Sequence, residues 1–282
     1  MMQGENRVKK IFVVGCPRSG TTLVQEILGA HNDVYVCKET HFFRRIRRRG
    51  KKRLLDHLLL SQRNVLNTYD FIRTHNEFLE QHDPSGVKSL RSAVLFFDRM
   101  MTLEARAADK SAWVEKTPLH VFDIRLIDRY IPSVQFVHVI RDGRDVVASL
   151  VDAAQKFPRS WEKFSNLEIA IDLYNRSLAE SLRYCHSEGH IFVHYERILD
   201  DVEGTRRRLY TLLGLNGESS GLNLKEIHQK VIRSDEGWKN GHGGEIKDTR
   251  LVKFNRIFDD EQKRSIDSKV KGLPSELREA FI

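Results

Sequence analysis

Cysteine is scarce in this chain: three residues, Cys16, Cys37 and Cys185, and no Cys-x-x-Cys pair. Such an odd, scattered set of thiols argues against both a disulfide framework and a zinc site. Long apolar runs are also missing. No stretch approaches the roughly 18 residues of a membrane span, and Met1–Arg7 opens the chain without the apolar core of a signal peptide. The expectation is a cytoplasmic protein with no transmembrane segment. There is no internal repeat and no low-complexity tract. His186 and His190 lie one helical turn apart, but Glu188 is not where His-Glu-x-x-His places its acid, so no metal is expected.

Positive charge, by contrast, is abundant. The formal net charge is +8 over 282 residues, of which 40% are hydrophobic. That apolar share is enough for a sizeable core, and one domain spanning 1–282 is more economical than two. Much of the excess charge sits in Arg44, Arg45, Arg47, Arg48, Arg49, Lys51, Lys52 and Arg53. The run lacks interleaved aromatics for base stacking, so no nucleic-acid partner is expected. It reads either as a solvated turn and helix face or as a docking surface for an acidic acceptor, carrier or headgroup.

The most informative segment is Val14-Gly15-Cys16-Pro17-Arg18-Ser19-Gly20-Thr21-Thr22. Gly15 and Gly20 have the spacing of a phosphate loop, in which backbone N–H groups and a helix N-terminus face an anion. Thr21 stands where a nucleotide triphosphatase carries the lysine that reaches the β and γ phosphates, which argues for a shorter anion. Arg18 supplies a permanent cation instead. Ile11-Phe12-Val13-Val14 before the loop reads as a buried parallel strand, and Leu23, Ile27 and Leu28 give the following helix an apolar face.

Pro17-Arg18-Ser19-Gly20-Thr21-Thr22 after a strand resembles the 5′-phosphosulfate loop of sulfotransferases that use 3′-phosphoadenosine 5′-phosphosulfate (PAPS). Arg141-Asp142-Gly143-Arg144-Asp145-Val146-Val147-Ala148-Ser149, after the strand candidate 134–140, matches that family's 3′-phosphate motif through Arg141 and Ser149. A strand-end arginine and a serine about two turns into the next helix are placed to meet one phosphate above the sheet. Glu115-Lys116-Thr117-Pro118 is similar to a segment of bacterial and carbohydrate sulfotransferases. Pro118 occupies the place of the histidine base of the cytosolic small-molecule branch. Cys37-Lys38-Glu39-Thr40-His41 resembles the Glu-Glu-Thr-Arg segment of the tyrosylprotein branch, in which the residue aligned with Glu39 is the base, although His41 replaces the arginine. Tyr195 matches a tyrosine near the adenine. Thr249, Arg250 and the segment from Phe254 to Phe258 resemble the loop over the 3′-phosphate, with Phe254 where tryptophan is usual. Together these matches run from about residue 11 to 265.

Strand candidates 11–14, 34–37, 113–115, 134–140 and 190–194 alternate with helices near 20–30, 119–130, 144–156, 167–186 and 202–213. The fold class expected is α/β, a parallel sheet flanked by helices in a phosphate-loop-like sulfotransferase fold. Segment 40–110, with Leu54, Leu55, Leu58 and Leu59, reads as a helical cap insertion over the carboxyl edge. Residues 234–249, with Gly237, Gly241, Gly243 and Gly244, read as a mobile loop before a final helix at 259–271.

The resemblance implies PAPS as co-substrate, without a metal. It assigns Pro17, Arg18, Ser19, Gly20, Thr21 and Thr22 to the phosphosulfate, Arg141, Ser149, Thr249 and Arg250 to the 3′-phosphate, and Tyr195 to the nucleoside. Lys116 would serve the bridging or sulfuryl oxygens and Glu39 the acceptor's proton, with His120 the alternative base. The acceptor is a hydroxyl or amine of a small metabolite or carbohydrate, with peptidyl tyrosine as the alternative. Two rivals remain: a phosphate-loop kinase with Asp142 as a Walker-B-like acid, and a binding module that retains the fold without turnover.

Overall fold

In the computed structural model, the described residues are 7–47, 60–78, 81–215, 223–239, 248, 250–274, 277 and 281–282. Leu54, Leu55, Leu58, Leu59, the basic residues 48–53, Gly241, Gly243, Gly244 and Thr249 lie outside them. The first half of the chain runs β1 (Lys9–Gly15), α1 (Thr21–Gly29), β2 (Val34–Val36), α2 (Phe42–Ile46), α3 (Gln62–His75), α4 (Leu90–Ala107) and β3 (Ala112–Lys116). A 3-10 turn (Pro118–Asp123) leads into α5 (Ile124–Tyr130), β4 (Val134–Ile140), α6 (Gly143–Lys156), α7 (Pro158–Trp161) and α8 (Leu167–Leu182). Then follow β5 (His190–His194), α9 (Tyr195–Asp200), α10 (Val202–Leu213), α11 (Leu224–Val231), a 3-10 turn (Gly237–Lys239), α12 (Val252–Ile257) and α13 (Asp260–Lys269).

The five strands form one parallel sheet in the order β2-β3-β1-β4-β5. A parallel strand covered on both faces must be apolar at every position. The centre of β1 meets that demand, with Ile11, Phe12, Val13 and Val14 all sealed from solvent. Alternation along the strand then divides the core. Phe12 and Val14 face Phe42, Phe43, Phe97, Trp113 and Phe136, whereas Ile11 and Val13 face Val24, Ile27 and Leu28 of α1 and Leu209 of α10. α6, α8, α12 and α13 close a third cluster around Ile140 and Phe192.

Between β2 and β3 the described residues carry α2, α3 and α4. The long helix α4 joins the layer on the Phe12 side, where Phe97 meets Phe12 at 5.9 Å and Trp113 at 6.2 Å between ring centroids. The turn at 118–123 replaces the start of the expected helix 119–130, because Pro118 opens a 3-10 segment. The consequence for function is positional. β1 lies between β3 and β4, the point at which the strand order reverses, and the carboxyl ends of the strands open on one crevice there.

Candidate active site

Pro17, Arg18, Gly20, Thr21 and Thr22 line a cavity of about 600 Å³ above these strand ends. Gly20 has a φ of +96°, and a Cβ there would lie 2.1 Å from the Tyr195 ring, so the turn requires glycine. Ser19 is buried beneath the loop. Arg18 also adopts a positive φ, 75°, which turns its side chain back over the cavity. Its Nε donates to Ser149 Oγ at 3.1 Å and its Nη1 to the Trp238 carbonyl at 3.3 Å. Burial, reinforced by the neighbouring Arg141, lowers its pKa to about 10, still well above neutrality. Cys16 is inert filling under the loop: burial pushes its thiol up to about 12.

Adjacent residues of a strand face opposite ways, and β3 uses this to separate two acid–base clusters. Glu115 turns to the Phe12 side, where its Oε1 accepts from the Thr40 and Thr117 hydroxyls at 2.8 and 2.7 Å and its Oε2 lies 3.0 Å from His120 Nδ1. Lys116 turns to the α1 side. Its Nζ donates to Thr22 Oγ1 at 3.2 Å and to Glu39 Oε1. The same Glu39 oxygen accepts from Lys239 Nζ at 2.7 Å, and Lys239 also donates to Glu236 Oε1 at 2.6 Å. His41 Nε2 lies 3.3 Å from the other Glu39 oxygen. Burial alone would raise the Glu39 carboxyl, but Lys116 and Lys239 outweigh it and hold it well below the ordinary carboxylate range. Burial pushes Lys116 down; Glu39 opposes this and Lys239 reinforces it. His41, itself at a positive φ of 49°, is driven to about 4 by burial against the pull of Glu39, so it is neutral at pH 7.

Arg141 is buried at the end of β4, its guanidinium 4.5 Å from the Tyr195 ring centroid and 3.5 Å from Asp145. Among the described residues, Arg141 Nε and Ser19 Oγ are buried without a hydrogen-bond partner. Two unsatisfied donors beside a positively charged loop are the signature of an anion seat. Arg18, Thr22, Glu39, Arg141, Ser149 and Tyr195 converge on the cavity, and Lys116, wholly buried and not among its lining residues, meets it through Thr22 and Glu39. Arg250 does not: its exposed guanidinium pairs with Asp248 at 2.7 Å and Asp200 at 3.0 Å and does not line the cavity.

Three sequence expectations change here. His120, the alternative base, packs against Phe43 and Phe12 with its ring wholly buried and does not line the cavity. Asp142, the Walker-B-like acid of the kinase reading, caps α6 by accepting from Arg144 N and grips the Arg144 guanidinium with both oxygens. The described start of the expected mobile loop is packed instead: Trp238 meets Trp161 at 5.7 Å and Phe157 at 5.9 Å, and Lys239 is buried against Glu39. Residues that sequence reasoning missed are thus Lys239, Glu236 and Arg233, together with the buried pair Glu26–His228 (2.6 Å), which lines the same cavity. A tryptophan and a lysine inside a glycine-rich stretch are the only sign the sequence offers. Glu39, His41 and Glu236 also bring three ligand-type atoms within 4.8 Å of one another, but two ammoniums already share their carboxylates.

Residues 10–219 match the model of the sulfotransferase family. A putative protein-tyrosine sulfotransferase of Caenorhabditis briggsae is 26% identical over 219 residues, which cover 77% of this chain and 69% of the relative. Protein-tyrosine sulfotransferase 1 of Danio rerio is 25% identical over 226 residues, 78% of this chain but 57% of its own length. The chain thus spans little more than half of that second relative. Among solved structures, the sulfotransferase domain from the curacin biosynthetic pathway superposes with a TM-score of 0.52 at 16% identity, covering 75% of this chain and 76% of its own. The sulfotransferase domain of the Synechococcus PCC 7002 olefin synthase gives 0.50 at 14% identity, covering 98% and 93%. At such identities the structures speak for the fold.

Proposed function

The chain belongs to the sulfotransferase family, and from that premise we propose that it moves the sulfuryl group of PAPS to a hydroxyl or amine. The observation that carries this reading is Lys116, whose ammonium spans from the anion loop at Thr22 to the carboxylate of Glu39. Sulfuryl transfer needs a cation at the leaving oxygen and a proton acceptor at the nucleophile, held side by side. In this reading the loop amides and Arg18 hold the phosphosulfate, and Lys116 takes up charge that develops on the departing phosphate oxygen. The acceptor O–H or N–H gives its proton to Glu39 as the new bond to sulfur forms and the old bridging bond breaks. Arg141, Ser149 and Tyr195 hold the 3′-phosphate and nucleoside, with Thr249 and Arg250 in the covering segment. Arg250 would have to leave its acidic partners to take part.

A small metabolite or carbohydrate is the acceptor proposed, because a cavity of about 600 Å³ must take both substrates. Peptidyl tyrosine is the second reading, favoured by the names of the relatives. No helix among the described residues is long and apolar enough to cross a membrane. The test is to incubate the protein with PAPS and an acceptor panel that includes sugars, phenols and a tyrosine peptide, and to look for a mass gain of one sulfuryl group. Transfer is expected to survive excess chelator. A strict magnesium requirement, or consumption of ATP in place of PAPS, would return the kinase reading.

A further inference from the structure

Lys116 and Lys239 share one oxygen of Glu39, but their other partners differ. Lys116 reaches outward to Thr22 in the anion loop, whereas Lys239 is tied back to Glu236. Glu236 is in turn fixed by Arg233, whose backbone N–H donates to it at 3.1 Å and whose Nη2 lies 3.3 Å away. An anion in the loop therefore draws on Lys116, the ammonium bonded to Thr22, whereas Lys239, although it lines the cavity, is held by Glu236 as well as by Glu39. The remaining charged or titratable neighbours are few. Arg18 acts on Glu39 from the loop, His41 is neutral, and Glu236 and Glu26 lie behind the two lysines. Without Lys239, a buried Glu39 that has lost Lys116 would keep no ammonium bonded to it, and a buried carboxylate so stripped takes up a proton more readily.

We propose that Lys239 is a positioning residue that keeps Glu39 ionised, and therefore able to accept a proton, once the anion loop is filled. The inference rests on the sulfotransferase reading for its purpose but not for its measurement. Glutamate carboxyls labelled with carbon-13 are titrated by NMR in wild type, Lys239→Met and Lys239→Arg, with and without 3′-phosphoadenosine 5′-phosphate, Glu39→Gln identifying the signal. With nucleotide bound, Lys239→Met is expected to raise the Glu39 midpoint by about one pH unit or more and Lys239→Arg to restore it. The acid limb of the kcat–pH profile should move by the same amount. Glu236→Gln, which loosens the anchor but leaves the ammonium, should raise the midpoint by less than Lys239→Met does. If Lys239→Met leaves Glu39 titrating as in wild type, or Glu236→Gln raises it equally, the inference is wrong. A wild type that titrates as expected but turns over no PAPS would sink the proposed function alone.

Discussion

Glu39 carries two ammoniums on a single carboxylate oxygen, an arrangement that favours ionisation over basicity. A carboxylate so held accepts a proton only when the acceptor's proton is released in the transition state, as general base catalysis requires. Glu39→Gln preserves shape and removes that capacity. Turnover should fall by roughly 10²–10⁴, with the Kd for PAPS changed only a few-fold, as single-turnover kinetics and calorimetry would show. Near-normal turnover in this variant would remove Glu39 from the role. At this scale the sequence is legible where chemistry follows local spacing. Arg18, Thr22 and Lys116 stand beside recognisable turns and strand ends. Lys239 is not legible, because its burial depends on Glu39, two hundred residues away, and nothing in its own neighbourhood signals an acidic partner.

The β4–α6 connection shows what elements add to residues. Arg141 follows β4 directly, Asp142 caps α6, and Ser149, Asp152, Ala153 and Lys156 line the cavity along one side of the helix. A guanidinium stacked on Tyr195, with Nε unpartnered, fits a 3′-phosphate reader. A hydrogen bond to a charged group is worth about 1.5–3 kcal/mol, so Arg141→Ala should weaken PAPS roughly ten- to 150-fold. Adenosine 5′-phosphosulfate, which lacks the 3′-phosphate, should scarcely respond. Equal losses for both nucleotides in calorimetric titrations would make Arg141 a structural support of the loop instead. The β-branched runs at 11–14 and 134–140 announce their strands because burial on both faces admits little else. α12 escapes such reading, because its six residues carry too few apolar positions to show a period, whereas in α11 Leu224, Ile227 and Val231 do stand at helical spacing.

For the whole molecule, the sheet's far edge holds a second set of buried titratable groups. His138 of β4 stacks on Phe192 of β5 at 4.4 Å, and its Nε2 lies 2.9 Å from His190 Nδ1. Burial, and for His138 the adjacent His190, lowers both imidazoles below their ordinary value. The unfolded chain protonates them below about pH 6.5, whereas the folded chain resists until a lower pH. In that window the unfolded state binds more protons, so the pair's contribution to stability is lost as pH falls from about 6.5. Glu26 and Asp123 act with the opposite sign, because burial raises their carboxyls and the folded state then holds the extra proton. Absolute acid stability therefore mixes both, but a variant comparison separates them. His138→Phe keeps a planar ring against Phe192 and removes one titrating group. Urea unfolding at about pH 7.5 and about pH 5 should show wild type losing more stability than the variant over that interval. Equal losses would mean that the imidazole pair is already protonated, or solvated, within the fold.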